Sequence, residues 1–274
     1  MKKQRSARRD DAIDEVRTIY WFQCLGEHVG SFRPRTVQRA IAPAPEKDAL
    51  GGAIKNNKFL GYSKGAHVPN AALVQRAAQM VPHAAYVLDH VIWDILRAQS
   101  PVEKQVRAWV RLLDPDIQKA LLRPGYEIGE SDRTLDMLER RFSLDSLAAL
   151  TILFRMSHEQ EQAQAADNQP LAFRPWLFAC AIFRTLMLVQ PDFITDELST
   201  KIFQLFVQRV FSRVVSFWRA RMVLEDYDFP KMAAQFHETA ASYGIYTDCP
   251  PLSRDVRGQV VELIHIPLAP VGRA

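Results

Sequence analysis

PWLFACAIFRTLMLV, residues 175–189, is apolar on nearly every side when wound as a helix. Arg184 stands inside the run, and the stretch is too short to span a bilayer. A helix that is apolar all round belongs at the centre of a core, so its neighbours must wrap it. The neighbouring sequence is helical in period as well. Residues 195–224 predict the longest helix, with Asp196 and Glu197 in its first turn and Arg219 and Arg221 near its end, each sign suited to the macrodipole. Its apolar residues, Ile202, Phe203, Leu205, Phe206, Val207, Val210 and Phe211 onward to Leu224, cover more circumference than a one-sided helix needs. Either a bundle wraps this helix, or a second copy of the chain or another subunit covers it. A homodimer is the expectation carried forward, with Arg209 and Arg213 marking the exposed edge.

Residues 145–156 predict another helix with 147–154 buried, whereas the polar run 158–169 reads as an exposed, frayed helix end and a loop. Residues 102–113, 116–122 and 132–142 are shorter helices. The first of these is opened by Ser100 as N-cap and Pro101 at the first helical position. Residues 230–243 form the next, ended by Gly244. Residues 259–266, rich in Val and Ile, are a short strand or a last helical turn. No Asn-Gly or Asp-Gly hairpin flanked by alternation occurs.

Toward the N-terminus, Ile13, Val16, Ile19, Tyr20 and Cys24 fall on one helical stripe, and Tyr20-Trp21-Phe22 reads as core. Pro34 opens a short basic helix over 34–42, and Ala-Pro-Ala-Pro at 42–45 ends it. Asn70 is placed to cap a helix with Leu73, Val74, Ala77, Ala78 and Val81 inward, which Pro82 stops. Residues 83–98 then read as one continuous helix with Val87, Leu88, Val91, Ile92 and Ile95 inward. The fold class is all-α: an N-terminal helical unit over 1–99, then a helical bundle over 100–274.

With 48% hydrophobic residues the chain is not a disordered one. Cys24, Cys180 and Cys249 lie too far apart for a disulfide framework or a zinc knuckle. The basic start (Lys2, Lys3, Arg5, Arg8 and Arg9) is followed by no apolar leader segment. These features predict a soluble, cytoplasmic protein with free thiols and no membrane span. Charge is unevenly spread. Residues 1–65 hold 13 Lys/Arg against 7 Asp/Glu, a balance of +6, and the remaining 22 and 24 leave −2. A basic excess confined to one quarter of a chain attracts polyanions, so duplex DNA or RNA is the natural partner.

Catalytic patterns are missing: no GxGxxG, Walker loop or nucleophile elbow is present. His83 and His90, seven apart and flanked by Asp89 and Asp94, are off the usual spacing of helical metal pairs and read as interfacial histidines. His158 and Glu161 form one His-x-x-Glu pair, the reverse of the di-iron pattern, and read as a solvated face. Glu225, Asp226 and Asp228 read as ion-pairing residues at a helix end beside Arg219 and Arg221. The expectation is therefore no catalytic residue, no metal and no cofactor.

One stretch carries a resemblance. In residues 45–78, Tyr62, Gly65, Pro69, Leu73 and Ala77 approximate a series of an aromatic residue, a glycine three later, a proline seven later, then a capped helix with Leu and Ala inward. Ala49, Ile54 and Phe59 add a small inward residue, a turn residue and an inward apolar one. This resembles the Cro/repressor-type helix-turn-helix. Ser63 stands where that family commonly has glutamate, Asp48 where it has leucine, and Gly51-Gly52 fall in its first helix. The resemblance implies that Lys55, Asn56, Asn57 and Lys58 sit at the start of the recognition helix. There Asn would reach adenine and Lys would reach guanine or phosphate, with Lys64 and His67 on phosphates. Arg33, Arg35 and Arg39, expected on the short basic helix, would join them. The function expected is that of a non-enzymatic DNA-binding protein acting in transcription regulation. The alternative is a helical structural or interaction subunit of a protein or nucleoprotein assembly.

Overall fold

The computed structural model describes residues 11–43, 57–122, 132–141, 143–166, 174–189, 193–213 and 228–242. These residues are helical with no strand among them, so the protein is all-α. The basic run before residue 10, the 44–56 segment with Lys55 and Asn56, residues 214–227 with Glu225 and Asp226, the 259–266 segment and Cys249 lie outside them. The chain divides into two compact units, residues 1–93 with 193–201, and residues 94–192 with 202–274.

The first unit is organised by α1 (Asp11–Val29). Its sequence stripe understates its burial. Trp21, Phe22 and Leu25 are as buried as Ile13, Val16, Ile19, Tyr20 and Cys24, so apolar contact surrounds most of the helix. The short helices α2 (Pro34–Ile41) and α3 (Lys58–Ser63) and the helix α5 (Pro82–Asp89) pack on α1, while α4 (Ala71–Met80) packs on α5 and α2. The polar groups of α1 are tied down. Glu15 pairs with Lys201 at 2.7 Å, and Gln23 Nε2 donates to Thr195 Oγ1 at 2.7 Å. The Tyr20 ring meets Phe193 edge-on at 5.9 Å.

Two glycines place these helices. Gly30 takes φ 69° after α1, and the Ser31 N–H donates to the Gly26 carbonyl at 2.8 Å, which closes the helix in a left-handed cap. Gly65 (φ 66°) does the same after α3, where the Ala66 N–H donates to the Gly61 carbonyl at 2.9 Å. A Cβ on Gly65 would lie 2.7 Å from the Glu15 carbonyl oxygen, so only glycine lets this turn approach α1. Asn70 caps α4 as its sequence predicts, its side chain accepting from the Leu73 N–H at 2.9 Å. Pro82 occupies the first turn of α5.

The expected continuous helix over 83–98 is broken. α5 ends at Asp89 and α6 (Ile92–Arg97) starts anew, because His90 adopts ψ 136° and its Nδ1 accepts the Ile92 N–H at 3.1 Å. The histidine acts as a cap, a role that sequence spacing does not reveal. Trp93 Nε1 donates to the Val87 carbonyl at 2.7 Å and satisfies an acceptor near the end of α5.

In the second unit α7 (Glu103–Val110), α8 (Pro115–Leu121), α9 (Asp132–Arg141) and α11 (Arg174–Val189) pack on α10 (Leu144–Ala166). The 175–189 run is central, as its composition demands. Ala179, Ala181, Ile182, Phe183, Leu186 and Met187 are buried, and Leu177 is the exception at 51% exposed. Arg184, the one charge in the run, is held by Glu139 of α9 through both Nε and Nη2. Three expectations need correction. First, α7 begins at Glu103, not at Pro101, and takes no local side-chain cap. Second, α10 does not fray after Met156 but runs unbroken to Ala166. Third, the long helix predicted over 195–224 is interrupted. α12 (Asp196–Arg209) gives way to a 3-10 turn, Phe211–Arg213, and residues 214–224 lie outside the described ones.

Within the single chain Ile202, Phe203, Leu205, Phe206, Val207, Val210 and Phe211 are all buried, so this stretch needs no second copy to cover it. Phe183 meets Phe203 and Phe211 edge-on, and Phe229 of α13 (Phe229–Ser242) stacks on Phe203 at 4.4 Å. Arg209 and Arg213 are half-buried, not an exposed edge. No helix among the described residues is long and apolar enough to cross a membrane.

Because Leu186 is 0% exposed within this packing, Leu186→Ala is expected to lower unfolding stability by ~2–5 kcal/mol in denaturant titration. A loss under ~0.5 kcal/mol, the scale of ordinary surface changes, would show that α11 does not lie in the core.

Candidate nucleic-acid interface

The candidate basic residues of the first unit sit on elements whose apolar sides are fixed. α2 buries Val37 and Ile41, four apart, against its neighbours. That choice leaves Arg35, Thr36, Arg39 and Ala40 exposed on the opposite side. Pro34 holds the first turn, and no acidic residue stands there. Arg33 is exposed but does not ride on the helix as expected. It occupies the preceding N-cap position in extended geometry (φ −73°, ψ 121°).

α2 packs against α3, which sets the helix carrying Arg35 and Arg39 beside the one carrying Lys58. α3 buries Phe59 and Tyr62. Tyr62 meets Trp21 edge-on at 5.5 Å and Phe59 at 5.5 Å, and burial raises the Tyr62 phenol above its ordinary range. Lys58 is the first residue of α3 and is exposed, Asn57 is its exposed N-cap residue without a side-chain cap bond, and Lys64 is its exposed C-cap. His67 is exposed in the following turn, its ring against Gly61. Of the four residues expected at the start of a recognition helix, only Lys58 lies in a described helix, while Lys55 and Asn56 fall outside the described residues. The inward residues of the helix-turn-helix series behave unevenly: Ala77 is buried and Leu73 is half-buried.

Two acidic side chains of α1 are ion-paired within the unit. Asp14 pairs with Arg17 at 2.8 Å and Glu15 with Lys201 at 2.7 Å.

The polar residues around His158 in the second unit form a different kind of site. Both carboxylate oxygens of Glu159 accept the Val102 N–H, at 3.1 and 3.0 Å, so a side chain 57 residues away supplies what a local cap of α7 lacks. His158 is half-buried, with Nε2 at 3.1 Å from the Arg213 carbonyl and its ring stacked on Phe154 at 5.9 Å. Arg155 is 3% exposed and donates through Nη1 to the Ile95 carbonyl at 2.6 Å. Its Nε and Nη2 have no hydrogen-bond partner among the described residues. Burial first, and then the Arg213 charge, pulls its pKa down to about 10. Of the His158–Glu161 pair expected on a solvated face, both are half-buried and His158 is an internal tie; Glu159, beside it, is a tie that sequence spacing does not reveal, because its partner is the distant Val102 amide. Among the described residues no three His, Cys, Asp or Glu side chains are grouped to hold a metal. His83 and His90 flank the Tyr86 ring, at 5.8 and 4.9 Å. Burial pushes the Cys24 thiol up to about 12 and the Cys180 thiol up to about 11, which leaves both poor nucleophiles.

No protein-family model, curated protein or solved structure matches the chain.

Burial is the main cause that lowers the His158 pKa, and the Arg213 charge adds to it, against the Arg213 carbonyl bond and the charges of Glu161 and Glu159. A histidine depressed in the folded state takes up its proton first in the unfolded chain, so stability falls as pH drops below the ordinary histidine value of ~6.5. The urea midpoint of the native protein is therefore expected to fall more steeply between about pH 7 and pH 5 than that of His158→Gln. Equal slopes would show that His158 titrates alike in both states.

Proposed function

We propose that this is a non-enzymatic, DNA-binding regulatory protein whose first unit meets duplex DNA through α2 and the cations beside it. The supporting observation is the exposed face of α2. Arg35, Thr36, Arg39 and Ala40 stand opposite the buried pair Val37 and Ile41, and the helix contains no acidic residue. Arginine serves either guanine edges or phosphates, and threonine and alanine methyls suit thymine, so this face has the residue types of a groove-reading helix. At ~1.5 Å per residue its eight residues extend roughly 12 Å, a length the B-DNA major groove accommodates. Arg33, Lys58, Lys64 and His67 supply flanking contacts to phosphate, and the +6 balance of residues 1–65 supplies the attraction. A second reading is a helical subunit of a larger assembly, whose contacts would include the exposed Leu112 (68%) or Leu177 (51%) of the second unit.

Fluorescence anisotropy of a labelled duplex across salt concentration separates the two. The doubly substituted Arg35→Ala, Arg39→Ala protein is expected to lower the salt slope by about two, close to one per lost phosphate contact, if both arginines neutralise phosphates. If they read base edges instead, each substitution relaxes base preference by ~1–3 kcal/mol. Absence of duplex binding at ~50 mM salt, where electrostatic contacts are strongest, rejects the DNA reading.

A further inference from the structure

On α7 of the second unit three cations share one narrow strip of surface. Val106, Trp109 and Val110 are buried, which fixes the side that the helix turns to its neighbours. At ~100° per residue, Arg107, Arg111 and Lys104 fall within an arc of about 60° on the other side. Arg111, the C-cap residue, keeps right-handed helical geometry (φ −67°, ψ −13°) and so stays in line. All three are exposed, as is Ala108 among them. No ion pair among the described residues engages any of the three. Asp114 and Asp116, the next acidic residues in the chain, are both taken by Arg141. Leu112 follows at the end of the strip and is 68% exposed.

Charge, length and the apolar end define what fits. Residues 102–113 hold 3 Lys/Arg against 1 Asp/Glu. Like charges one turn apart repel, and an anionic partner relieves that repulsion as it pairs with them. Lys104, Arg107 and Arg111 are spaced ~4.5 and ~6 Å along the axis, ~10.5 Å in all. A facing helix has the same rise, so carboxylates at i, i+3 and i+7, or at i, i+4 and i+7 in the opposite direction, match those intervals. Alternate residues of an extended strand recur every ~6.6 Å and overshoot to ~13 Å. Duplex DNA runs past a strip this short, and residues 66–274, balanced at −2, offer it no further attraction. A bilayer needs a broad apolar face, and that of α7 is committed to the core.

We infer that this face of α7 docks an acidic amphipathic helix of a partner protein, its carboxylates on Lys104, Arg107 and Arg111 and an apolar side chain on Leu112. Exposed ion pairs are individually weak, so the cations select the partner and its orientation while covering Leu112 holds it in place. The inference does not rest on the DNA reading, because its residues lie in the second unit and those of the DNA face in the first.

Fluorescence anisotropy of labelled peptides titrated with the full chain tests it. The probes are two alanine-based helices of ~15 residues, a length at which such peptides hold helix in water. One carries glutamates at i, i+3 and i+7, the other at i, i+4 and i+7, each with a leucine at the end that meets Leu112. One of them is expected to bind saturably, and its glutamine twin to bind about tenfold more weakly or worse. The combined Lys104→Gln, Arg107→Gln, Arg111→Gln protein is expected to lose affinity for the glutamate peptide by a similar factor, and Leu112→Ala to lose it several-fold. Arg35→Ala, Arg39→Ala, in the first unit, is expected to leave it unchanged. The combined Lys104→Glu, Arg107→Glu, Arg111→Glu protein is expected to transfer binding to a lysine version of the peptide, which a misfolded chain would not do. No saturable binding of either glutamate peptide up to about 1 mM, a weak affinity for any specific contact, overturns the inference. So does equal binding of the glutamate and glutamine peptides, or a loss confined to the first-unit variant. Loss of duplex DNA binding in the α7 glutamine variant, with peptide binding intact, likewise overturns it and assigns the strip to nucleic acid.

Discussion

The first unit depends on one constraint: α1 carries more large apolar side chains than one face can hold, and it is buried around most of its circumference. Trp21 and Leu25 at 0% exposure, on a helix that also buries Ile13, Val16 and Phe22, require cover from several directions. Helices α2, α3 and α5 provide it, and the turn after α3 comes so close to Glu15 that Gly65 has no room for a side chain. Fully burying each large apolar side chain contributes ~1.5–3 kcal/mol, so the sequestering of α1 outweighs the modest local propensity of a six-residue helix such as α3. The short helices exist because α1 needs them. Once Val37 and Ile41 are committed to that cover, the arginines of α2 have only the outside left.

The second unit solves a different problem. Its centre is an apolar pair, α10 and α11, but polar groups are drawn in with them. Glu139 answers Arg184, and Glu159 answers the Val102 amide. Arg155 is answered only in part, by the Ile95 carbonyl. A buried cation with unmet donors is costly, and its position near Arg213 makes it more so, as the lowered pKa of both arginines reflects. Buried polar ties of this sort add little net stability but discriminate against other arrangements of the same helices.

Much of this was legible in the sequence wherever the signal was local. Helical period predicted the all-α class, Pro34 and Asn70 predicted two helix starts, Pro82 predicted a break, and the composition of 175–189 predicted burial. What failed was non-local or involved an unusual donor. His90 ends a helix that hydrophobic spacing alone continues through. The polar run after Met156 stays helical, and its Glu159 is tied to a backbone amide 57 residues away. At Val210 and Phe211 the apolar pattern continues although the winding tightens to a 3-10 turn, since burial and α-helical winding are separate requirements. For the candidate interface, residue types could be read from the sequence. The face they occupy could not, because it is decided by which residues the neighbouring helices bury, whereas Arg33 falls off the helix for a local reason: Pro34 takes the first turn.

Amide hydrogen exchange across the first unit measures the central constraint directly. If α1 is the enclosed axis on which the basic helix is mounted, the amides from Glu15 to Leu25 exchange last in that unit and only through global unfolding, while those of α2 exchange earlier through local opening. Exchange of the α1 amides as fast as those of α2 would contradict it, because a helix sealed by its neighbours cannot open while they remain in place.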